Sequence, residues 1–559
     1  MMTRLKRDAD PLALLIGAVA IAAAMALLIY PIGRSVLIAF VRSGEDLELA
    51  NLTFVNFERF FVSASYQRAF WNSLWTGALS TVLATALALP MAYAVARIAI
   101  PFRALIMAMS VVPLISPPFI GSYAWIMLLG NNGIFSRLLH DYTGIDLPSI
   151  YGPFGVVFAL ATGYFPYVFL IAQGALAGGD PHVEEAARIM GASRWHIVRT
   201  ITLPSVLPSI AAGMLIVFIK AIGDFGVPSI LGGEFQVLPT LIYYQIHGFH
   251  NLSAASAIAM VNVAMTLLAL WVLARINRRR GHATITGTAR ASARLDGKGA
   301  KIWGNAYVWF VLFVGTLPQI VILYASFAVE WPGTLLPTRY GLDHYIGVAG
   351  YLTQPIYNSL ILSGAATAVC VVFGSIAAYA VVRNKIVGRW AVDAVIMLPF
   401  VLPGLVVGVA YLTAFNDGWL ILTGTGTIIV LAYFTRRVAF IFRSASSAIG
   451  RIDPKIEEAS TICGAGWGAT MRRVTAPLIL PGVFAGAILV FATLIGEISA
   501  TVLLYSARWK TVSIAIYEFV LGGELQRASA LGTIVTVLTL ALVLIASRLV
   551  GRNMADMFR

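Results

Sequence analysis

Apolar residues fill this chain in long runs, and short polar stretches interrupt them. The runs cover about 12–40, 70–96, 105–129, 206–231 and 252–274, with a further one ending near Ala177. Each reaches or exceeds the roughly 20 residues a helix needs to cross a hydrocarbon core. A helix also satisfies its own backbone in lipid, which an open strand cannot do. The run at 105–129 contains Pro113, Pro117 and Pro118. That predicts a broken helix, tolerable where neighbours or water reach the freed carbonyls.

Beyond a stretch rich in Arg, Gly, Ala, Thr and Ser, the plan repeats. Asn72-Ser73-Leu74 recurs as Asn358-Ser359-Leu360, and Ala92-Tyr93-Ala94-Val95-x-Arg97 recurs as Ala378-Tyr379-Ala380-Val381-x-Arg383. Pro113 and Pro117 recur as Pro399 and Pro403, all at an offset of 286 residues. Six spans return the chain to the side it started on, so the halves are parallel repeats about an axis normal to the membrane. The expected fold is an all-α polytopic membrane protein of about 12 transmembrane helices in two six-span repeats. The first half is placed at 1–275, a basic cytoplasmic linker at 276–302 and the second half at 303–559, with both ends cytoplasmic.

One polar stretch also recurs. Asp180 to Pro204 aligns without a gap with Asp453 to Pro477 at an offset of 273, sharing Asp-Pro, Glu-Glu-Ala, a central Gly, an Arg and the terminal Pro. The fall from 286 to 273 fits a shorter external loop in the second half, opposite Asn131 to Ser149. Each copy reads as a short helix, a glycine break and a second helix. Asp180 suits the cap and Pro181 the first turn, while Glu184 and Glu185 lie where the helix dipole favours negative charge. Gly191 supplies the stop, and Pro204 is expected to end the second helix. Ala186, Ala187, Ile189 and Met190 would present an apolar side to a groove on a partner.

The spacing Glu185-Ala186-Ala187, Gly191, then Ile201-x-Leu203-Pro204 resembles the EAA loop of permease subunits in ATP-binding-cassette importers. The second copy, with Glu457, Glu458, Ala459, Gly464 and Pro477, is looser, carrying Ser460 for Ala and Ala476 for Leu. The resemblance implies that Glu184, Glu185, Ala186, Ala187, Gly191, Glu457, Glu458, Ala459 and Gly464 couple the chain to two cytoplasmic ATP-binding subunits, and that a periplasmic solute-binding protein delivers the cargo. It implies an inner-membrane permease that is not an enzyme and binds no cofactor, since ATP would sit on the partner. The fused two-half form, Pro113-x-x-x-Pro117-Pro118-Phe119-Ile120, and Arg436-Arg437 resemble the ferric-iron permeases. Relatives for 2-aminoethylphosphonate, thiamine and polyamines share much of that pattern.

Composition agrees with membrane residence. Of 559 residues 59% are hydrophobic and 11% charged, with mean hydropathy +0.84, far from the balance of a soluble domain. The net charge of +14 does not mean nucleic acid, because most of the 39 Lys and Arg fall in expected cytoplasmic segments. Cys370 and Cys463 have neither disulfide nor metal-ligand spacing and are expected as free thiols, and the seven histidines form no metal-ligand pair within the membrane. No Gly-rich loop ending in Lys-Ser or Lys-Thr is present, so a membrane-embedded ATPase is disfavoured.

An ion-coupled secondary transporter is the rival class, since it too is built from repeated halves. It predicts several acids along the spans, whereas the intramembrane charges are few: Lys220, Asp224, Asp393, Arg436, Arg437, Arg443 and Glu497. Asp224 and Glu497 occupy matching repeat positions, in Ile222-Gly223-Asp224 and Ile495-Gly496-Glu497. A charge in lipid is costly, so each should face the interface between halves or a partner. Lys220, one helical turn before Asp224, predicts a structural ion pair. Glu497 has Thr493 there, so a pairing across helices with Arg436 or Arg437 is expected, and these four residues, Asp224, Arg436, Arg437 and Glu497, are the candidate translocation path.

Overall fold

A computed structural model describes residues 11–98, 100–179, 181–279, 297–331, 334, 336–351, 353–383, 389–418 and 420–550. The basic N-terminal start, the Asp180 cap and most of the linker lie outside the described residues. Among the described residues, nine helices are long and apolar enough to cross a membrane, and eleven spans result when each of two sharply bent pairs counts as one. The remaining expected span is the helix Gly426–Gly450, set apart from these apolar helices by its three arginines, Arg436, Arg437 and Arg443. Outside the helices is a small antiparallel pair, Ala328–Glu330 with Arg339–Tyr340.

The first half contains α1 (Pro11–Ile38), α2 (Ala64–Arg97), the bent pair α3 (Arg103–Ile115) and α4 (Pro118–Leu129), then α5 (Pro153–Gly178), the hairpin helix α6 (Pro181–Ile189), α7 (Leu203–Ile222), the short α8 (Gly226–Leu231) and α9 (Leu252–Arg279). The second half follows as α10 (Lys298–Ala325), α11 (Thr353–Arg383), α12 (Arg389–Val401), α13 (Gly404–Phe415), α14 (Gly426–Gly450), α15 (Pro454–Ile462), α16 (Ala476–Ile495), α17 (Thr501–Leu504) and α18 (Leu525–Val550). The bounds of α5 and α14, and those of α7 and α16, differ by 273 at the start and α3 and α12 by 286, so the repeat in sequence is a repeat in structure.

Proline sets the two bends. A residue before proline is driven out of the helical region, and Ser116 (ψ 129°) and Pro117 (ψ 132°) comply in succession, turning α4 by 96° from α3. Between α12 and α13 the break falls at Pro403 (ψ 147°), whose ring leaves no N–H to continue the helix, and the bend is 108°.

The halves are not two separate bodies. Helix α1 lies against α13 and α11 of the second half, where the Tyr411 hydroxyl donates to the Leu27 carbonyl at 3.0 Å. Helix α10 lies against α2, α3 and α4 of the first half, with the Tyr307 hydroxyl donating to the Ala86 carbonyl at 3.1 Å. Gly315 lets α10 approach Phe165, since a Cβ there would stand 2.6 Å from the ring. The first helix of each half therefore packs on the other half, and the division near residue 300 is not a packing boundary.

Candidate functional site

Two places bring the sequence-derived candidates together, the hairpin tips and a cavity between the halves. In the first hairpin, α6 ends at Gly191, which has φ +86°, and in the second α15 ends at Gly464, which has φ +84°. Both are left-handed conformations that glycine adopts without a Cβ penalty. The second copy shows its cap directly: Asp453 accepts from the Lys455 amide at 3.0 Å, and Pro454 occupies the first turn.

Pro204 does not end the second helix, as the sequence suggested. The helix beginning at Arg194 runs through a π-helical turn, Val198–Thr202, straight into α7, and Met471–Thr475 joins its counterpart to α16. The widened turn absorbs the missing proline N–H and the ring's clash with the preceding turn. Each hairpin is thereby a rigid extension of the span that lines the cavity.

Glu184 is more than a favourable charge at a helix start. It reaches the end of α2, where Arg97 Nη2 lies 2.5 Å away, and it accepts from Thr202 Oγ1 at 2.9 Å. Glu457 repeats the arrangement with Arg383 Nε at 3.3 Å and Thr475 Oγ1 at 3.0 Å. The arginine repeat at 97 and 383 was visible in the sequence, but its partner was not. Glu185 is exposed, with His182 Nδ1 at 3.8 Å. On the outer side Ala187 is buried while Ala186 is exposed, and Ile189, Met190 and Trp195 are more than 70% exposed, as is Ile462 on the second hairpin. These are bulky apolar side chains on an otherwise polar loop. Glu458 and Ala459 lie on the same short helix as Glu457.

The cavity measures about 440 Å³. It lies where both bends and both post-hairpin helices meet, lined by Pro117, Pro403, Tyr164, Lys220, Asp224, Arg436, Arg437 and Glu497 among others. The halves touch here reciprocally. A Cβ on Gly223 would stand 3.0 Å from Pro403 Cβ, and one on Gly496 would overlap the Pro117 ring. Each half thus seats its bend proline on the glycine that ends the other half's post-hairpin helix.

The expected pairing of Glu497 across helices is present: its Oε2 contacts Arg436 Nη1 and lies 3.5 Å from Arg437 Nη2. The expected Lys220–Asp224 pair is not formed. Asp224 Oδ2 instead accepts from the Tyr164 hydroxyl at 2.6 Å, and Oδ1 accepts from the Val227 amide at 2.8 Å. The reason is the break at Gly223: Asp224 has left the helix of Lys220 and caps α8, as Glu497 Oε1 caps the matching segment through the Ala500 amide at 3.2 Å. Tyr164 was missed, although it sits 273 residues before Arg437 and so marks the equivalent place. The first half ties its acid with a tyrosine and the second with arginines.

His247 stacks on Tyr243 with ring centres 4.3 Å apart and belongs to the local packing.

Two six-span repeats, two matched polar hairpins and a charged cavity between the halves define a fused two-half membrane component of a transport system. The chain belongs to the family of binding-protein-dependent transport system inner membrane components, whose sequence profile matches residues 84–282 and 370–557. It is 30% identical over 447 residues to the ferric transport system permease protein FbpB of Actinobacillus pleuropneumoniae, covering 79% of this chain and 65% of that one. It is 32% identical over 196 residues to the molybdenum transport system permease protein ModB of Escherichia coli (strain K12), covering 34% of this chain and 85% of that one. The match thus spans slightly less than two thirds of the FbpB chain.

Proposed function

We propose that this chain is the permease of an ATP-driven importer for ferric iron, with a solute-binding protein delivering the cargo on the periplasmic side. The observation that carries the importer reading is the pair of hairpins. Each is clamped to a neighbouring span by a glutamate–arginine contact, is continuous with a cavity-lining helix, and holds large apolar side chains out in solvent. That is the shape of an element made to dock in a groove and transmit its motion. Two ATP-binding subunits, one on each hairpin, would move the hairpins on binding ATP and rock the halves about the Gly223–Pro403 and Gly496–Pro117 contacts. Both termini then lie on the hairpin side, and Asp224, Arg436, Arg437 and Glu497 line the route.

Iron as cargo rests on the likeness to FbpB, which aligns with 79% of this chain. Cells lacking the permease should lose uptake of radiolabelled ferric iron and regain it with the gene restored, while thiamine, polyamine and aminoethylphosphonate uptake continue. Undiminished iron uptake would end the iron assignment. Failure of the chain to co-purify an ATP-binding subunit would end the importer assignment separately.

A further inference from the structure

The polar groups lining the central cavity are unequal in a way that selects for charge. Every carboxylate oxygen facing it already accepts from the protein: Asp224 from Tyr164 and Val227, and Glu497 from Ala500 and the Arg437 guanidinium, with Arg436 in ion-pair contact beside it. The donors are not used up. Arg437 is 8% exposed, yet its Nε has no hydrogen-bond partner. Lys220 lines the same cavity, and none of its hydrogen bonds or ion pairs reaches another described residue. Three cations, Lys220, Arg436 and Arg437, face two carboxylates, one of which is shared between both arginines.

A buried excess of positive charge with unfilled donors is costly until an acceptor-rich guest arrives. A bare cation would meet repulsion and no free carboxylate oxygen, and no group of three His, Cys, Asp or Glu among the described residues is placed to hold a metal ion. We infer that this cavity receives its cargo as a small, oxygen-rich anion, held by Lys220 and the Arg437 guanidinium. The inference rests on the cavity lying on the transport route. The anion has two possible sources, a free tetrahedral oxyanion or a ferric ion wrapped in an anionic oxygen chelator. Guanidinium and ammonium groups recognise both through the same charge-assisted hydrogen bonds.

The test uses the full chain in lipid nanodiscs, dialysed to equilibrium against sodium molybdate, ferric citrate, or hexaamminecobalt(III) as a trivalent cation. At least one anion should be retained and the cation excluded. Lys220→Gln and Arg437→Gln should each weaken retention by at least about tenfold, while Lys220→Arg, which keeps the charge, restores it and shows that the fold persists. Retention of ferric citrate identifies the chelated metal as the source. Retention of molybdate alone keeps the anion site but removes iron as cargo, so the two proposals fail separately. Retention of the cation, retention of neither anion, or unchanged anion binding in Lys220→Gln would overturn the inference.

Discussion

Replacing Glu457 by Gln tests whether the hairpin clamp transmits force or is ornamental. The Glu457 and Arg383 side chains are 8% and 10% exposed, so the ion pair they form is shielded from water. Removing one partner of a buried pair outright costs about 3–5 kcal/mol. Glutamine is milder: its amide oxygen can still accept from Thr475, and Arg383 keeps the Ile452 carbonyl at 2.9 Å through Nη2. What is lost is one shielded ion-pair contact at 3.3 Å; at about 2 kcal/mol, between an exposed pair and the full loss of a buried one, the population of correctly held hairpin falls roughly 30-fold. The spans do not depend on this contact, so the chain should still insert and fold. Affinity for the ATP-binding subunit, titrated with purified components, should drop by up to that factor, and transport should fall with it. The double variant with Arg383→Gln should be no worse than about the sum less 1 kcal/mol, since both changes break the same contact. Unchanged affinity in Glu457→Gln, or strictly additive losses in the double variant, would refute the clamp. In the first hairpin Glu184 is 19% exposed, so Glu184→Gln should lose about half as much.

Gly191→Val and Gly464→Val should weaken docking alike, by about 1–2 kcal/mol each, because both glycines are left-handed and neither has an atom within 4 Å of a new Cβ. The looser second motif suggests that Gly464 tolerates change better; co-purification of the ATP-binding subunit decides, and a much milder effect at Gly464 would count against the equal backbone strain. Gly496→Ala should lower both thermal stability and uptake by driving a methyl into Pro117, while Gly178→Ala, with open space around it, should not; a fluorescence-detected melt that moves equally in both would sink the reciprocal-contact reading. Cys463 is exposed on the second hairpin and Cys370 is buried, so maleimide should label Cys463 alone and the bound ATP-binding subunit should protect it. Labelling of Cys370 in the folded protein, or no protection of Cys463, would contradict the placement.

The periodic runs of apolar residues by themselves determined that this is a helical membrane protein, because a polypeptide in lipid has few ways to satisfy its backbone. The two offsets of 286 and 273 determined the doubled plan, down to the bends at Pro117 and Pro403, because proline acts on its own and the preceding residue without help from the fold. The left-handed turns at Gly191 and Gly464 were legible for the same local reason. Partnership across the chain was not. Lys220 and Asp224, one turn apart in sequence, looked paired until the break at Gly223 turned the acid toward Tyr164, 60 residues away. Arg97 was a repeated letter until the hairpin folded back to set Glu184 beside it. Above all, only the tertiary structure placed α1 on the second half and α10 on the first. Helices equally apolar on most faces carry no mark of which neighbour they will meet in lipid, where close packing, and not burial from water, chooses the partner.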